Sequence, residues 1–88
     1  MTILIDPPLW SRHGRVWGHL VSDASLGELH EFARSMGIPE RGFDLDHYDV
    51  PEEMHDRLIA AGAQLVDGRE LVRRLRASGL RVTAAQRR

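Results

Sequence analysis

The chain has 88 residues and a mass of 10.0 kDa, a size that fits one domain and excludes a second catalytic domain or a separate cofactor domain. It contains no cysteine, which excludes disulfides and every cysteine-ligated zinc or iron–sulfur site. Its 12 basic residues are all arginine, so a lysine Schiff base and a phosphate-loop lysine are excluded as well.

Charge is distributed unevenly along the chain. Residues 1–68 hold 5 arginines and 12 acidic residues, a net charge of −7, whereas residues 69–88 hold 7 arginines and 1 acidic residue, a net charge of +6. The basic end is either a solvated helix and tail that complement an acidic body or an arm that binds nucleic acid. We expect one domain over residues 1–79 and a basic C-terminal tail over residues 80–88.

The N-terminal residues carry no export signal. Their only apolar run is residues 3–5, which Asp6, Pro7 and Pro8 interrupt, whereas a membrane span needs about 20 apolar residues. Together with the absence of cysteine, this predicts a cytoplasmic protein with no membrane association.

The first half of the chain predicts two strands and a helix. Thr2 and the apolar residues 3–5 predict a buried strand, residues 9–15 predict a polar loop, and residues 16–21 predict a second strand. Ser25 and Glu28 form a capping box, in which each side chain bonds a free backbone N–H, ahead of an apolar stripe at helical spacing.

The second half predicts two more helices and short strands. Residues 40–50 predict a loop that becomes a strand near His47, and Pro51 fits the first turn of a helix. Residues 64–66 predict a short strand, and a second capping pattern at residues 67–70 opens the third helix. After residue 79, the chain either adds a strand at residues 80–82 or frays.

This order of elements predicts a small single α/β domain of two-layer type. It has a mixed sheet of three to four strands and about three helices, on one or both faces of the sheet. Strands that a helix separates are expected to pair in parallel through right-handed crossovers.

Several short patterns resemble a known family. They are Asp6, Trp10, Gly14-Arg15, Trp17, His19-Leu20, Glu28-Leu29-His30, Phe32-Ala33, Gly37-Ile38, His47-Tyr48-Asp49, Ala61-Gly62-Ala63 and Arg69-Glu70-Leu71-Val72. Over residues 2–76 the chain is similar to a bacterial and phage family described only as domain of unknown function four thousand and thirty-one. Because that family has no established activity, the resemblance implies a fold-sized unit and no chemistry.

One group of residues suggests a divalent metal site. His47 and Asp49 point to the same face of an extended segment, and His19 can join them from a neighbouring strand. Two imidazoles and one carboxylate leave a coordination position open for water. In the alternative interpretation, Asp49 caps the helix that starts near Pro51, and His47 is a buried, hydrogen-bonded histidine.

A second group suggests a site for a phosphate-containing ligand. Arg12 and Arg15 can bind phosphate, and Trp10 and Trp17 can stack on a base. Alternatively, Trp17 belongs to the core, Trp10 covers it, and the arginines are solvated. The full candidate set for the ligand site is Asp6, Trp10, Arg12, Arg15, Trp17, His19, His47, Tyr48 and Asp49.

Three functions remain open from the sequence. The first is a binding module for a nucleotide or nucleic acid, which uses the arginine, tryptophan and histidine side chains. The second is a metal-dependent phosphoester hydrolase, in which His19, His47 and Asp49 hold the ion and Arg15 stabilises developing charge. The third is a homo-oligomer or adaptor that uses Trp10 as an interface anchor.

Overall fold

The computed structural model describes residues 2–86. The strands are β1 (Ile3–Ile5), β2 (Trp10–Arg12), β3 (Arg15–Ser22), β4 (Phe43–Asp44), β5 (His47–Pro51) and β6 (Gln64–Leu65). The helices are α1 (Leu26–Ser35), α2 (His55–Ala60) and α3 (Gly68–Ser78), and single 3₁₀ turns span Glu40–Gly42, Glu52–Met54 and Ala84–Gln86. The α/β class and the three helices are confirmed.

The six strands form one mixed sheet, so the strand count is higher than the three to four expected. The order is β4-β5-β3-β1-β6, and β2 pairs with the first half of β3. Strand β2 lies in the segment that the sequence predicted as a loop. It forms a hairpin with β3 in which Trp10 pairs with Trp17 and Arg12 with Arg15, closed by a turn at which His13 and Gly14 have positive φ.

Among the strands of residues 2–86, only one pair is parallel. β1 and β6 pair in parallel, but β3 and β5 are antiparallel although α1 separates them. The expectation of parallel pairing across α1 was therefore wrong. The chain after α1 first enters β4 and then turns back into β5, and it is β5 that hydrogen-bonds to β3. The extra hairpin reverses the direction of the inserted strand.

Helices cover both faces of the sheet. On one face, Ile5 and Leu20 pack with Leu29 of α1 and Leu58 of α2 in the larger core cluster. On the other face lies a smaller cluster, formed by Leu4, Val21, Leu71 and Leu75. Successive residues of a strand point to opposite faces, so the uniformly apolar β1 serves both clusters.

The caps of α1 and α3 are confirmed in part. The hydroxyl of Ser25 accepts the Glu28 N–H at 3.0 Å, and a carboxylate oxygen of Asp67 accepts the Glu70 N–H at 2.7 Å. The Glu28 carboxylate, however, bonds the hydroxyl of buried Ser22 rather than the Ser25 N–H. Its partner lies three residues before the N-cap, outside the four-residue pattern of a capping box.

The C-terminal segment forms no strand at residues 80–82. Leu80 packs against the smaller core cluster, and the Val82 N–H donates to the carboxylate of Asp46 at 2.8 Å. Of the predicted basic tail, Arg87 and Arg88 lie outside the described residues.

Asp23 ties the start of β1 to α3, and its replacement predicts a pH-dependent loss of stability. Its carboxylate accepts the Thr2 N–H at 2.8 Å and a guanidinium N–H of Arg74 at 2.7 Å. Burial raises the pKa of Asp23, but these partners outweigh burial and hold the pKa below its ordinary value of 3.8. Asp23→Asn should lower the unfolding free energy by about 1–2 kcal/mol at neutral pH, because it removes a charge-assisted bond.

The sign of the pH effect follows from the lowered pKa. The contribution of Asp23 is present above its unfolded-state pKa and is lost as the pH falls through the lower folded-state value. Urea unfolding of the wild type and Asp23→Asn at pH 7 and at pH 3 measures this difference. A gap between the two proteins that is the same size at both pH values would contradict the prediction.

Candidate metal centre

The candidate ligands share one face of the sheet. In the β3–β5 register, His19 lies directly opposite Asp49, and the side chain of His47, two residues before Asp49, points to the same face. Helix α3 covers this face at Val21 and leaves the part beyond it open. His19, His47 and Asp49 are all partly exposed there.

A carboxylate orients each histidine. Nδ1 of His19 lies 2.9 Å from Oδ2 of Asp6, whose other oxygen accepts the His19 backbone N–H at 2.6 Å. Nδ1 of His47 lies 2.7 Å from Oδ1 of Asp46. A carboxylate on Nδ1 places the proton there and leaves Nε2 as the free ligand atom, the arrangement typical of metal-bound histidines.

Asp46 is the anchor of His47. It is fully buried, and its second oxygen accepts the Val82 N–H and lies 3.3 Å from the guanidinium of Arg81. Burial raises the pKa of Asp46, but bonds from His47 and Val82 and the charges of His47 and Arg81 outweigh burial and hold the pKa below its ordinary value. Asp46 is therefore a carboxylate at neutral pH.

His47 lies between two carboxylates. Its Nε2 is 3.1 Å from Oδ1 of Asp49, on the side opposite Asp46. Burial lowers the pKa of His47, but Asp49 and Asp46 outweigh burial and raise it above its ordinary value. The pocket that holds this imidazole thus favours positive charge next to Asp49.

Asp49 has an oxygen that lacks a hydrogen-bond partner. Its Oδ1 is buried, and although His47 is close in distance, no donor within residues 2–86 is aligned to bond it. The cap interpretation of Asp49 was wrong, because the 3₁₀ turn after it begins at Glu52 and α2 begins at His55, and neither has a side-chain cap. A buried, unsatisfied carboxylate oxygen is costly unless a cation or water binds it.

The three donor atoms converge. One ligand atom from each of His19, His47 and Asp49 lies within 4.8 Å of the other two. Donor atoms at about 2.1 Å from one ion are about 3–3.5 Å apart. To bind one ion, the three donor atoms would therefore have to move closer by on the order of 1 Å, which side-chain rotation can supply. Residues distant in sequence thus approach the geometry of a metal site with two histidines and one carboxylate.

Aromatic and basic side chains continue the same face. The ring of Trp10 stacks on His19 with a centroid distance of 5.4 Å, and the guanidinium of Arg12 lies 5.4 Å from the Trp10 ring. Arg15 lies over Trp17 and is 3.4 Å from the carboxylate of Glu53. Trp17 is half-buried on this face and is therefore not a core residue, contrary to the alternative interpretation from the sequence.

Comparison with known proteins identifies the family. The sequence matches the family described as "Protein of unknown function (DUF4031)" over residues 3–78. The chain belongs to this family. Neither a search of curated proteins nor one of solved structures returns a match. Across residues 2–86 of this DUF4031 member, no helix has the length and apolar character needed to cross a membrane.

Most of the predicted site residues meet on one face, but Tyr48 does not. Asp6, Trp10, Arg12, Arg15, Trp17, His19, His47 and Asp49 lie on or beside that face. Tyr48 points to the opposite face, where it is buried and its hydroxyl lies 2.7 Å from Nδ1 of His30. The alternation of β5 accounts for this, since Tyr48 lies between His47 and Asp49.

Sequence reasoning missed three residues of this DUF4031 site. Asp46 orients His47, Arg81 contacts Asp46, and His55 bonds the backbone carbonyl of Asp6 at 3.0 Å. The only local signal for Asp46 is its position next to His47. Arg81 and His55 come from distant segments, so nothing in their own sequence neighbourhood could have placed them at this site.

Proposed function

We propose that this protein is a divalent-metal-dependent phosphoester hydrolase whose ion is held by His19, His47 and Asp49. The observation that carries the proposal is the convergence of the three donor atoms within 4.8 Å of one another. Two imidazoles and one carboxylate leave positions for water and for substrate, which a catalytic ion requires and a closed structural site lacks.

The donor set favours particular ions. Imidazole ligands suit zinc and iron better than magnesium or calcium, which prefer oxygen ligands, and the carboxylate also suits manganese. The surrounding carboxylates of Asp6, Asp46 and Asp49 supply negative charge that a dication would neutralise. Asp6 and Asp46 hold the imidazoles in place, and Asp49 offers the oxygen that has no hydrogen-bond donor among the described residues.

The reaction is the hydrolysis of a phosphoester by water. An ion held by His19, His47 and Asp49 would supply Lewis acidity and lower the pKa of that water. The water oxygen would form a new P–O bond, the ester P–O bond would break with its electron pair on the leaving oxygen, and that oxygen would take up the proton that the water releases. Arg12, on the same face, would stabilise the charge that develops on the phosphate.

Arg12 is a better candidate for this role than Arg15, which the sequence suggested. Arg15 lies 3.4 Å from Glu53, whereas Arg12 forms no ion pair with any residue in the range 2–86. An arginine with no carboxylate partner keeps its full charge for a bound phosphate.

Metal binding and turnover test the proposal together. Protein purified without chelators is analysed for metal content, stripped with EDTA and titrated with Zn²⁺ and Mn²⁺ by calorimetry. Bis(p-nitrophenyl) phosphate and p-nitrophenyl phosphate are the assay substrates. We expect one ion per chain and hydrolysis that EDTA abolishes and added metal restores.

His13→Asn is the matched control for the metal titrations. It removes a histidine outside the cluster, and asparagine tolerates the positive φ of that turn position. The hydrolase proposal would be overturned if neither Zn²⁺ nor Mn²⁺ bound with one-to-one stoichiometry. It would also be overturned if an ion bound but neither ester was hydrolysed.

A binding module for a phosphate-containing ligand is the second candidate. The observation that favours it is the exposed guanidinium of Arg12 stacked over Trp10, which needs no ion to bind phosphate. A chain that binds a phosphate ester in EDTA and never hydrolyses it with metal present would support this candidate over the hydrolase.

A further inference from the structure

A cleft of about 360 Å³ adjoins the candidate metal centre. It lies between the β2–β3 hairpin and residues 38–42, and its volume falls within the range of small-molecule sites, about 300–1,000 Å³. We call it the arginine cleft and define it by six of its lining residues: Trp10, Arg12, Arg15, Trp17, Arg41 and Asp49. Asp49 belongs to both the cleft and the ligand cluster, so a molecule in the cleft would contact one of the three candidate ligand residues.

The charge of the arginine cleft suits an anion. Arg12 and Arg41 are exposed, and within the described part of the chain neither pairs with an acidic side chain. The ion pair of Arg15 with Glu53 is 3.4 Å long between two side chains that are each 55% exposed. A pair of that kind contributes little, so Arg15 can exchange Glu53 for a phosphate.

The aromatic content of the cleft suits a base. Trp10 and Trp17, the two tryptophans of the chain, pair across the hairpin, and Pro51 of β5 lies opposite Trp17 on its other side. Trp10 is 37% exposed although it is a large apolar residue. Indole rings stack on nucleobases, and arginine planes can stack on bases as well.

We propose that the arginine cleft binds a nucleoside phosphate, with its base on the tryptophans and its phosphate between the arginines and Asp49. This deepens the proposed function and rests on it, because the ion at Asp49 would then act on the phosphate held in the cleft. A free nucleotide and a nucleotide of single-stranded nucleic acid offer the same chemistry, and the ligands tested below distinguish them.

Tryptophan fluorescence tests the proposal directly, since both tryptophans line the cleft. The full chain in EDTA is titrated with AMP, UMP, adenosine, ribose 5-phosphate and an oligothymidylate of six nucleotides. We expect AMP or UMP to quench the emission, and adenosine and ribose 5-phosphate to bind at least about 10-fold more weakly, because each lacks one of the two recognised groups. Tight binding of the oligonucleotide with weak binding of both monophosphates would assign the site to single-stranded nucleic acid.

The double variant Arg12→Gln with Arg41→Gln should lower the affinity for the nucleotide or oligonucleotide by at least about 10-fold, because two of the three arginines that can contact the phosphate are lost. Arg57→Gln, an exposed position on α2 outside the cleft, is the matched control and should bind like the wild type. Absence of quenching by every ligand, equal binding of ribose 5-phosphate and AMP, or an equal loss in both variants would overturn the inference.

These experiments distinguish failure of the metal-site proposal from failure of the cleft proposal. Stoichiometric metal binding without any nucleotide binding overturns the cleft proposal and leaves the ion site standing. Nucleotide binding in EDTA by a chain that takes up no metal supports the cleft and overturns the hydrolase.

Discussion

Asp49→Asn should lower the affinity of the protein for Zn²⁺ and Mn²⁺ by more than about 100-fold, since loss of an outer-shell partner alone typically costs 10- to 100-fold. The substitution keeps the shape of the side chain and removes the charged oxygen that would bind the ion. That oxygen lies 3.1 Å from Nε2 of His47 but accepts no aligned hydrogen bond within residues 2–86, so the substitution weakens one ion pair and breaks no aligned hydrogen bond. Calorimetric titration measures the affinity, and thermal unfolding should show the same cooperative transition as in the wild type.

Two further variants make this result specific. Asp56→Asn has the same change of charge at an exposed position of α2 and should leave the affinity unchanged. Asp6→Asn, which weakens the support of His19 without removing a ligand, should fall between them at about 10- to 100-fold. Equal affinities for Asp49→Asn and the wild type would remove the ion from this position.

Gly18→Ala should be among the most destabilising single-methyl changes in this chain. A Cβ at Gly18 would lie 2.9 Å from the backbone oxygen of Asp6 and 3.3 Å from its Oδ1. The segment Asp6–Pro8 passes directly over Gly18, and Pro7 and Pro8 hold it stiff because their φ angles are restricted. The backbone cannot move aside cheaply, so we expect a loss of about 2–3 kcal/mol in unfolding free energy.

The Gly18→Ala substitution should also lower the metal affinity of the candidate site. Asp6 accepts the His19 backbone N–H and also orients the His19 ring, so displacing Asp6 moves a ligand. For a domain of this size the stability loss corresponds to a melting temperature lower by about 8–20 °C. Differential scanning calorimetry gives the stability, and metal titration gives the accompanying loss of affinity.

Gly27→Ala is the matched control for Gly18→Ala. Gly27 lies in α1, and the nearest atom to an added Cβ is the Ser25 hydroxyl oxygen at 3.9 Å. Alanine in a helix is favoured over glycine by roughly 0.5–1 kcal/mol, so this variant should melt slightly higher than the wild type. A Gly18→Ala protein that is as stable as Gly27→Ala would contradict the close approach of Asp6.

The alternation of a strand was enough to bring the candidate metal ligands together on one face, but it did not predict the carboxylates that orient them. His47 and Asp49 are two residues apart, so they had to share a face once the segment was extended, and His19 needed only a neighbouring strand. The same rule applied to Tyr48 would have placed it on the opposite face. Asp46 and Arg81 could not be found this way, because they meet through a contact between residues 35 positions apart.

Local patterns in the sequence determined the starts of α1 and α3, the break after β1 and the types of residue available for the site. These features depend on interactions between a side chain and the backbone a few residues away, such as Ser25 with the Glu28 N–H. Only the tertiary structure decided that β5 inserts beside β3 in antiparallel fashion and that Asp6 and Asp46 orient the two histidines. Strand order and carboxylate partners depend on which distant segments pack together. The free energy of that packing comes from the whole core and is not encoded in any one segment.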